Sequence, residues 1–144
     1  MGEWNKVFIT PQKFHNDIIT LCNMIPKNKY KFVWGIPRGG SIIAVYISHY
    51  CEGIDYLESG EGVIVDLIPE TLIVDDLTDT GATLKDFAEV EVTSTGELIV
   101  QDTAVLYYKL RSTFKPTYFV EQSPNDQWIV FPYEKPDEEP NREI

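Results

Sequence analysis

A chain of 144 residues with 43% hydrophobic and 12% aromatic side chains carries enough apolar surface for one packed domain, which excludes wholesale disorder. Its formal net charge of −11 sets up a field that opposes nonspecific binding to nucleic acid and to anionic membranes. No apolar run approaches the roughly 20 residues that span a bilayer, so neither class of partner is expected.

The first residues, Met-Gly-Glu-Trp-Asn-Lys, lack a secretory pattern, and a cytoplasmic location is expected. Val7-Phe8-Ile9 is a short apolar lead-in, and Thr10-Pro11 reads as an N-cap with proline at the first helical position. Phe14, Ile18, Leu21, Cys22 and Ile25 then recur at helical spacing, predicting an amphipathic helix to about Met24 that Pro26 and Lys27-Asn28-Lys29 terminate. His15, beside Asn16 and Asp17, is expected on the surface. Cys22 and Cys51 stand apart with no metal spacing or disulfide framework, and are expected to pack as small apolar residues in a reducing compartment.

Lys31 to Ile36 predicts the first core strand. The loop Pro37-Arg38-Gly39-Gly40-Ser41 follows, then Ile42 to Ser48, apolar nearly all round and therefore expected to be a buried helix. The loop offers a fixed cation and two glycines that let backbone approach a ligand, although a βα turn with a surface arginine looks the same. Ile54 to Leu57 predicts the next strand. Between Glu58 and Glu70, Val63 to Leu67 has strand composition, and Ser59-Gly60-Glu61-Gly62 suits a hairpin tip.

The most informative stretch is Thr71 to Leu84: an apolar β-branched run, the acids Asp75 and Asp76 where that strand is expected to end, then Asp79-Thr80-Gly81-Ala82-Thr83 leading into a helix. A strand feeding a helix through such a loop aims backbone N–H groups at one point, and Thr80 and Thr83 add hydroxyl donors, which together suit a phosphate. The carboxylates beside it suit sugar hydroxyls or a hydrated Mg²⁺. A strand capped by a polar turn, with Asp79 or Thr80 as N-cap, is the alternative. A sugar-phosphate site requires Thr80 to Thr83 to open on a cleft and the twin acids not to be consumed by neighbouring side chains. Further on, Leu84, Phe87 and Val90 predict one face of a short helix, and Glu91 to Val100 a hairpin around Thr95-Gly96. Strands are predicted over Thr103 to Lys109, Thr117 to Glu121 and Asn125 to Tyr133. Residues 1–134 read as the domain, and 135–144 as an acidic, poorly ordered tail.

The stretch around Asp75 resembles the phosphoribosyl-pyrophosphate signature of the type I phosphoribosyltransferases, with Thr78 where that family usually has an aliphatic residue. The resemblance implies a single α/β domain: a mostly parallel twisted sheet flanked by helices, a small hood from the terminal segments, and ligands at the carboxyl ends of the strands. It implies transfer of 5-phosphoribosyl from phosphoribosyl pyrophosphate to a ring nitrogen, with Mg²⁺ as cofactor and a homodimer as the assembly. By the same resemblance, Thr80, Gly81, Ala82 and Thr83 grip the 5′-phosphate, Asp75 and Asp76 hold the ribose and the metal, and Asp79 exchanges a proton with the base. Arg38 and Gly39 take the pyrophosphate, with Pro37–Arg38 the place for a cis peptide. The C-terminal part is similar to the 6-oxopurine branch: Lys109 matches the cation that reads the exocyclic oxygen, and Trp128 and Ile129 the pair that stacks on and edges the purine. Without the resemblance, Trp128 reads more readily as a core residue than as a base-stacker. Val130 stands where xanthine–guanine members carry an acid, and the 58–70 segment is shorter than the family's mobile loop, which predicts slow turnover or leakage to hydrolysis. Two other classes fit parts of the pattern: a nucleotide- or phosphoribosyl-pyrophosphate-sensing module without catalysis, and a phosphoacceptor domain, which gives no reason for Asp-Thr-Gly-x-Thr.

Overall fold

The computed structural model of the protein describes residues 5–58, 70–92 and 94–135. The hairpin expected between Glu58 and Glu70 and the tail beyond Lys135 lie outside them. Strand β1 (Asn5–Phe8) leads into helix α1 (Pro11–Met24), where Thr10 Oγ1 accepts from the Lys13 N–H at 3.1 Å and Phe14, Ile18, Leu21 and Cys22 form the buried stripe. Strand β2 (Phe32–Gly35), helix α2 (Gly39–Tyr50) and strand β3 (Asp55–Leu57) follow. Helix α2 corrects its expectation: Ile43, Ala44 and Ile47 are buried, but Val45 is 40% exposed, because only one side meets the sheet and α1. His15 is half-buried rather than a surface residue, its ring set against Tyr46 and Tyr50.

Strand β4 (Thr71–Thr78) is buried at every position. It runs past the paired acids, since Leu77 and Thr78 still pair with Tyr107 and Tyr108 of strand β7 (Thr103–Lys109). Helix α3 (Ala82–Ala88) stops before Val90, which belongs to the hairpin of β5 (Glu89–Val92) and β6 (Glu97–Val100), turned at Gly96. Strands β8 (Tyr118–Ser123) and β9 (Gln127–Val130) complete the described elements.

Among the described residues, five strands form the central sheet in the order β3-β2-β4-β7-β8, and every pair is parallel. Alternation along the strands serves two cores, as a sheet covered on both faces requires. Val33, Leu72, Val74, Ala104 and Leu106 pack with α1 and α2, whereas Trp34, Ile73 and Val105 pack with Leu84 of α3. From β2 the chain moves outward to β3, and from β4 it moves the other way to β7, so the adjacent strands β2 and β4 flank the point where the winding reverses. Open α/β sheets carry their ligand crevice at the carboxyl ends of such a pair. The terminal segments make the expected hood, with β1 parallel to β9 and Lys6 opposite Trp128. Phe131 holds it to the body through edge-on packing on Phe14, ring centroids 5.9 Å apart. No helix among the described residues is long and apolar enough to cross a membrane.

Candidate active site

The carboxyl ends of β2 and β4 bring the two glycine loops of the sequence together. Ile36 donates its N–H to the carbonyl of Val74 at 2.8 Å, docking the 36–40 loop against β4. The approach is so close that a Cβ on Gly39 would overlap the Asp76 carboxylate and the Tyr133 hydroxyl, and one on Gly40 would overlap the Val74 carbonyl oxygen. Backbone excludes a side chain at Gly40, and one at Gly39 would have to displace the Asp76 and Tyr133 side chains. The Pro37–Arg38 peptide is cis, and Arg38 is exposed, making no ion pair with a described residue.

The three acids are buried: Asp75 is 8% exposed, and Asp76 and Asp79 are 4%. Carboxylates withdrawn this far from water need hydrogen-bond partners. Asp75 Oδ1 accepts the N–H of Asp76 at 2.8 Å, and Asp76 accepts from the Tyr133 hydroxyl. Asp79 is gripped by Arg111, whose Nε donates to Oδ1 at 2.6 Å and whose second guanidinium nitrogen donates to Oδ2 at 2.7 Å. These bonds raise the Arg111 guanidinium above its ordinary range, so it stays cationic at any working pH. Arg111 and Tyr133 were not among the residues expected from sequence. Of the two conditions on a sugar-phosphate site, the acids meet theirs only in part, because Asp76 gives one oxygen to Tyr133.

The loop from Thr80 to Thr83 is turned by Gly81, at φ 94°, a left-handed conformation where a Cβ would also lie 2.7 Å from the Ser112 hydroxyl and the Phe114 amide nitrogen. Thr80 and Thr83 are half-buried and Ala82 is exposed, so the loop is not packed away. Thr113 buttresses it, its N–H donating to the Thr80 carbonyl at 2.9 Å and its hydroxyl at 3.2 Å. The Thr78 hydroxyl lies 3.4 Å from the Ser112 hydroxyl, which gives this buried polar side chain a partner.

Lys109 is 2% exposed, and its Nζ donates to the backbone carbonyls of Gln127 and, at 3.4 Å, Asn125. It thus ties the hood to the carboxyl end of β7. Arg111 does the same through its N–H, 2.7 Å from Asn125 Oδ1. Trp128 is half-buried and has the Lys6 ammonium 4.3 Å from its ring centroid, while the Ile129 side chain is 3% exposed within the core.

An open parallel α/β sheet, with a glycine loop docked against paired buried acids at its winding reversal, is the architecture of the doubly wound nucleotide-enzyme folds, whose ligand crevice lies at the carboxyl ends of such strands. No protein-family model and no curated protein sequence matches the chain. Among solved structures, it is similar to a purine phosphoribosyltransferase from Pyrococcus horikoshii at 30% identity, with a TM-score of 0.71 over 90% of this chain and 94% of that one. A xanthine-guanine-hypoxanthine phosphoribosyltransferase from Helicobacter pylori shares the fold at 19% identity and a TM-score of 0.64, covering 88% of this chain and 92% of its own. So does a hypothetical protein from Neisseria gonorrhoeae with bound ppGpp, at 22% identity and a TM-score of 0.67, covering 95% and 93%. The chain belongs to the type I phosphoribosyltransferase family, on its purine-enzyme branch.

Proposed function

We propose that the protein transfers a 5-phosphoribosyl group from phosphoribosyl pyrophosphate to a 6-oxopurine-type base, releasing pyrophosphate. The observation that carries this reading is the contact of Gly39 with Asp76, which joins the Arg38–Gly39 loop and the paired acids in one crevice. The bond from C1 of the ribose to the pyrophosphate oxygen breaks, a bond from C1 to a ring nitrogen forms, and the base gives up a proton. Positive charge develops at C1, so the chain's task is to hold the sugar still, neutralise the departing charge and exclude water.

Thr80 to Thr83 hold the 5′-phosphate, and Arg38 with the Gly39 N–H takes the pyrophosphate. Asp75 and Asp76 hold the ribose hydroxyls and face the developing cation. Asp79 accepts the base proton once Arg111 lets go of one oxygen. Lys109 reads the exocyclic oxygen by exchanging a hood carbonyl for it, Trp128 stacks on the base and the Ile129 main chain meets its edge. Among the described residues no three His, Cys, Asp or Glu converge as a metal cage. Two adjacent carboxylates suit a hydrated Mg²⁺ that arrives on the pyrophosphate, where it would offset negative charge. A homodimer is proposed as the assembly, and slow turnover or hydrolytic leakage as the consequence of the short 58–70 segment.

The test is pyrophosphate release from phosphoribosyl pyrophosphate and Mg²⁺ with hypoxanthine, guanine, xanthine and adenine in turn. Release with a 6-oxopurine supports the assignment, and release with none of the four overturns it. A non-catalytic sensing module is the second reading, favoured by the grip of Arg111 on both oxygens of Asp79. It predicts that ligands raise the melting temperature while no pyrophosphate appears.

A further inference from the structure

Cys22 and Cys51, 29 residues apart in sequence, meet on the face of the molecule away from the candidate active site. Cys22 lies in the last turn of α1 and Cys51 caps the carboxyl end of α2, with its N–H on the Ile47 carbonyl at 2.8 Å. The Cys51 Sγ is 3.7 Å from the Cys22 carbonyl oxygen, to which it donates. Both are free thiols, Cys22 buried and Cys51 half-buried, and both line a cleft of about 890 Å³ with Asn23, Lys27, Asn28 and Glu52. Isolated in the sequence, the two thus meet in the fold, where Cys22 belongs to the hydrophobic core as expected and Cys51 packs against it. Gly39, which contacts Asp76, is at the opposite end of α2, about 18 Å away for a helix of 12 residues.

We propose that Cys22 and Cys51 are a reversible dithiol–disulfide site, oxidised by exchange with a small-molecule disulfide that enters this cleft. Hydrogen bonding between the two thiols divides the labour: it lowers the Cys51 thiol from its ordinary range, and together with burial raises that of Cys22. Cys51, the more exposed of the two, loses its proton, attacks one sulfur of the small disulfide and releases one small thiolate. Cys22 then loses its proton and attacks the Cys51 sulfur, displacing the second small thiolate. The protein pair gives up two electrons and two protons, and the small disulfide takes them up as two thiols. The product fastens the carboxyl end of α1 to that of α2.

The full chain is incubated with oxidised glutathione, and its free thiols are then alkylated and mapped by mass spectrometry. The expected result is a monomer that loses both alkylatable thiols, yields a Cys22–Cys51 cross-linked peptide and recovers both thiols with dithiothreitol. The oxidised form should also melt higher than the reduced form, since the cross-link restricts the unfolded chain. In Cys22→Ser a glutathione adduct should persist on Cys51, and in Cys51→Ser modification should slow at least tenfold. Folded wild-type protein that keeps both thiols, stops at mixed disulfides or forms only intermolecular cross-links would overturn the proposal whatever the variants do.

Discussion

Removing Arg111 should cost more than neutralising its partner, and the asymmetry follows from burial. The Asp79 side chain is 6% exposed and the Arg111 side chain 42%. Breaking a fully buried pair costs about 3–5 kcal/mol because a charge is left without a partner, whereas an exposed pair contributes about 0–1 kcal/mol. In Arg111→Met the stranded group is the buried carboxylate, and water reaching it from the guanidinium side recovers part of the loss, so about 2–3 kcal/mol is expected. In Asp79→Asn the stranded group is the half-exposed guanidinium, which solvent satisfies, and about 1 kcal/mol is expected. The double variant should resemble Arg111→Met or be milder, a coupling of about 1 kcal/mol or more. Urea denaturation reads all four proteins, and for a chain of this length Arg111→Met should lower the melting temperature by about 6–9 °C. Arg111→Met within about 0.5 kcal/mol of wild type, or Asp79→Asn the more damaging change, would refute the reasoning.

The Gly39 contact predicts that Gly39→Ala weakens binding of phosphoribosyl pyrophosphate at least tenfold in calorimetry, because its methyl group occupies space held by the Asp76 carboxylate and the Tyr133 hydroxyl. Ile43 is fully buried between α2 and the sheet, so Ile43→Ala should lose about 2–5 kcal/mol in urea denaturation. Burial and the hydrogen bond to Asp17 push the Tyr107 phenol up from its ordinary 10.0. The fold prefers the neutral phenol, so this contribution is complete below about pH 10 and is lost as pH rises above it. Alkaline denaturation should therefore begin near pH 10, and Tyr107→Phe should flatten that limb while costing about 1 kcal/mol at pH 7.

The sequence carried the parts of the fold that depend on local pattern. The stripe from Phe14 to Ile25, the apolar run into Asp75 and the pairing around Thr95-Gly96 each follow from side-chain period and turn chemistry. Strand β4 runs two residues past the paired acids because its end is set by β7, which keeps Leu77 and Thr78 in the ladder. The Arg111–Asp79 pair has no local signal for a similar reason. Arg111 is 32 residues from Asp79, and only the parallel neighbourhood of β4 and β7 brings them together. Its one sequence signal was a second cation two places after Lys109, at the end of a core strand. Tyr133 carries no local signal beyond ending the strand predicted from Asn125, and its hydroxyl reaches Asp76 because Phe131 anchors the hood on Phe14. Contacts between residues so distant in sequence are set by topology, which no local period encodes.

The central claim is that the loop from Thr80 to Thr83, beside the paired acids, grips a sugar phosphate at the carboxyl end of β4. Calorimetric titration of phosphoribosyl pyrophosphate with Mg²⁺ into the wild type and into Thr80→Val/Thr83→Val tests it most directly. Saturable binding by the wild type, weakened at least tenfold by loss of the two hydroxyls, is the result predicted. No binding by the folded wild type, or equal affinity in the two proteins, would contradict it.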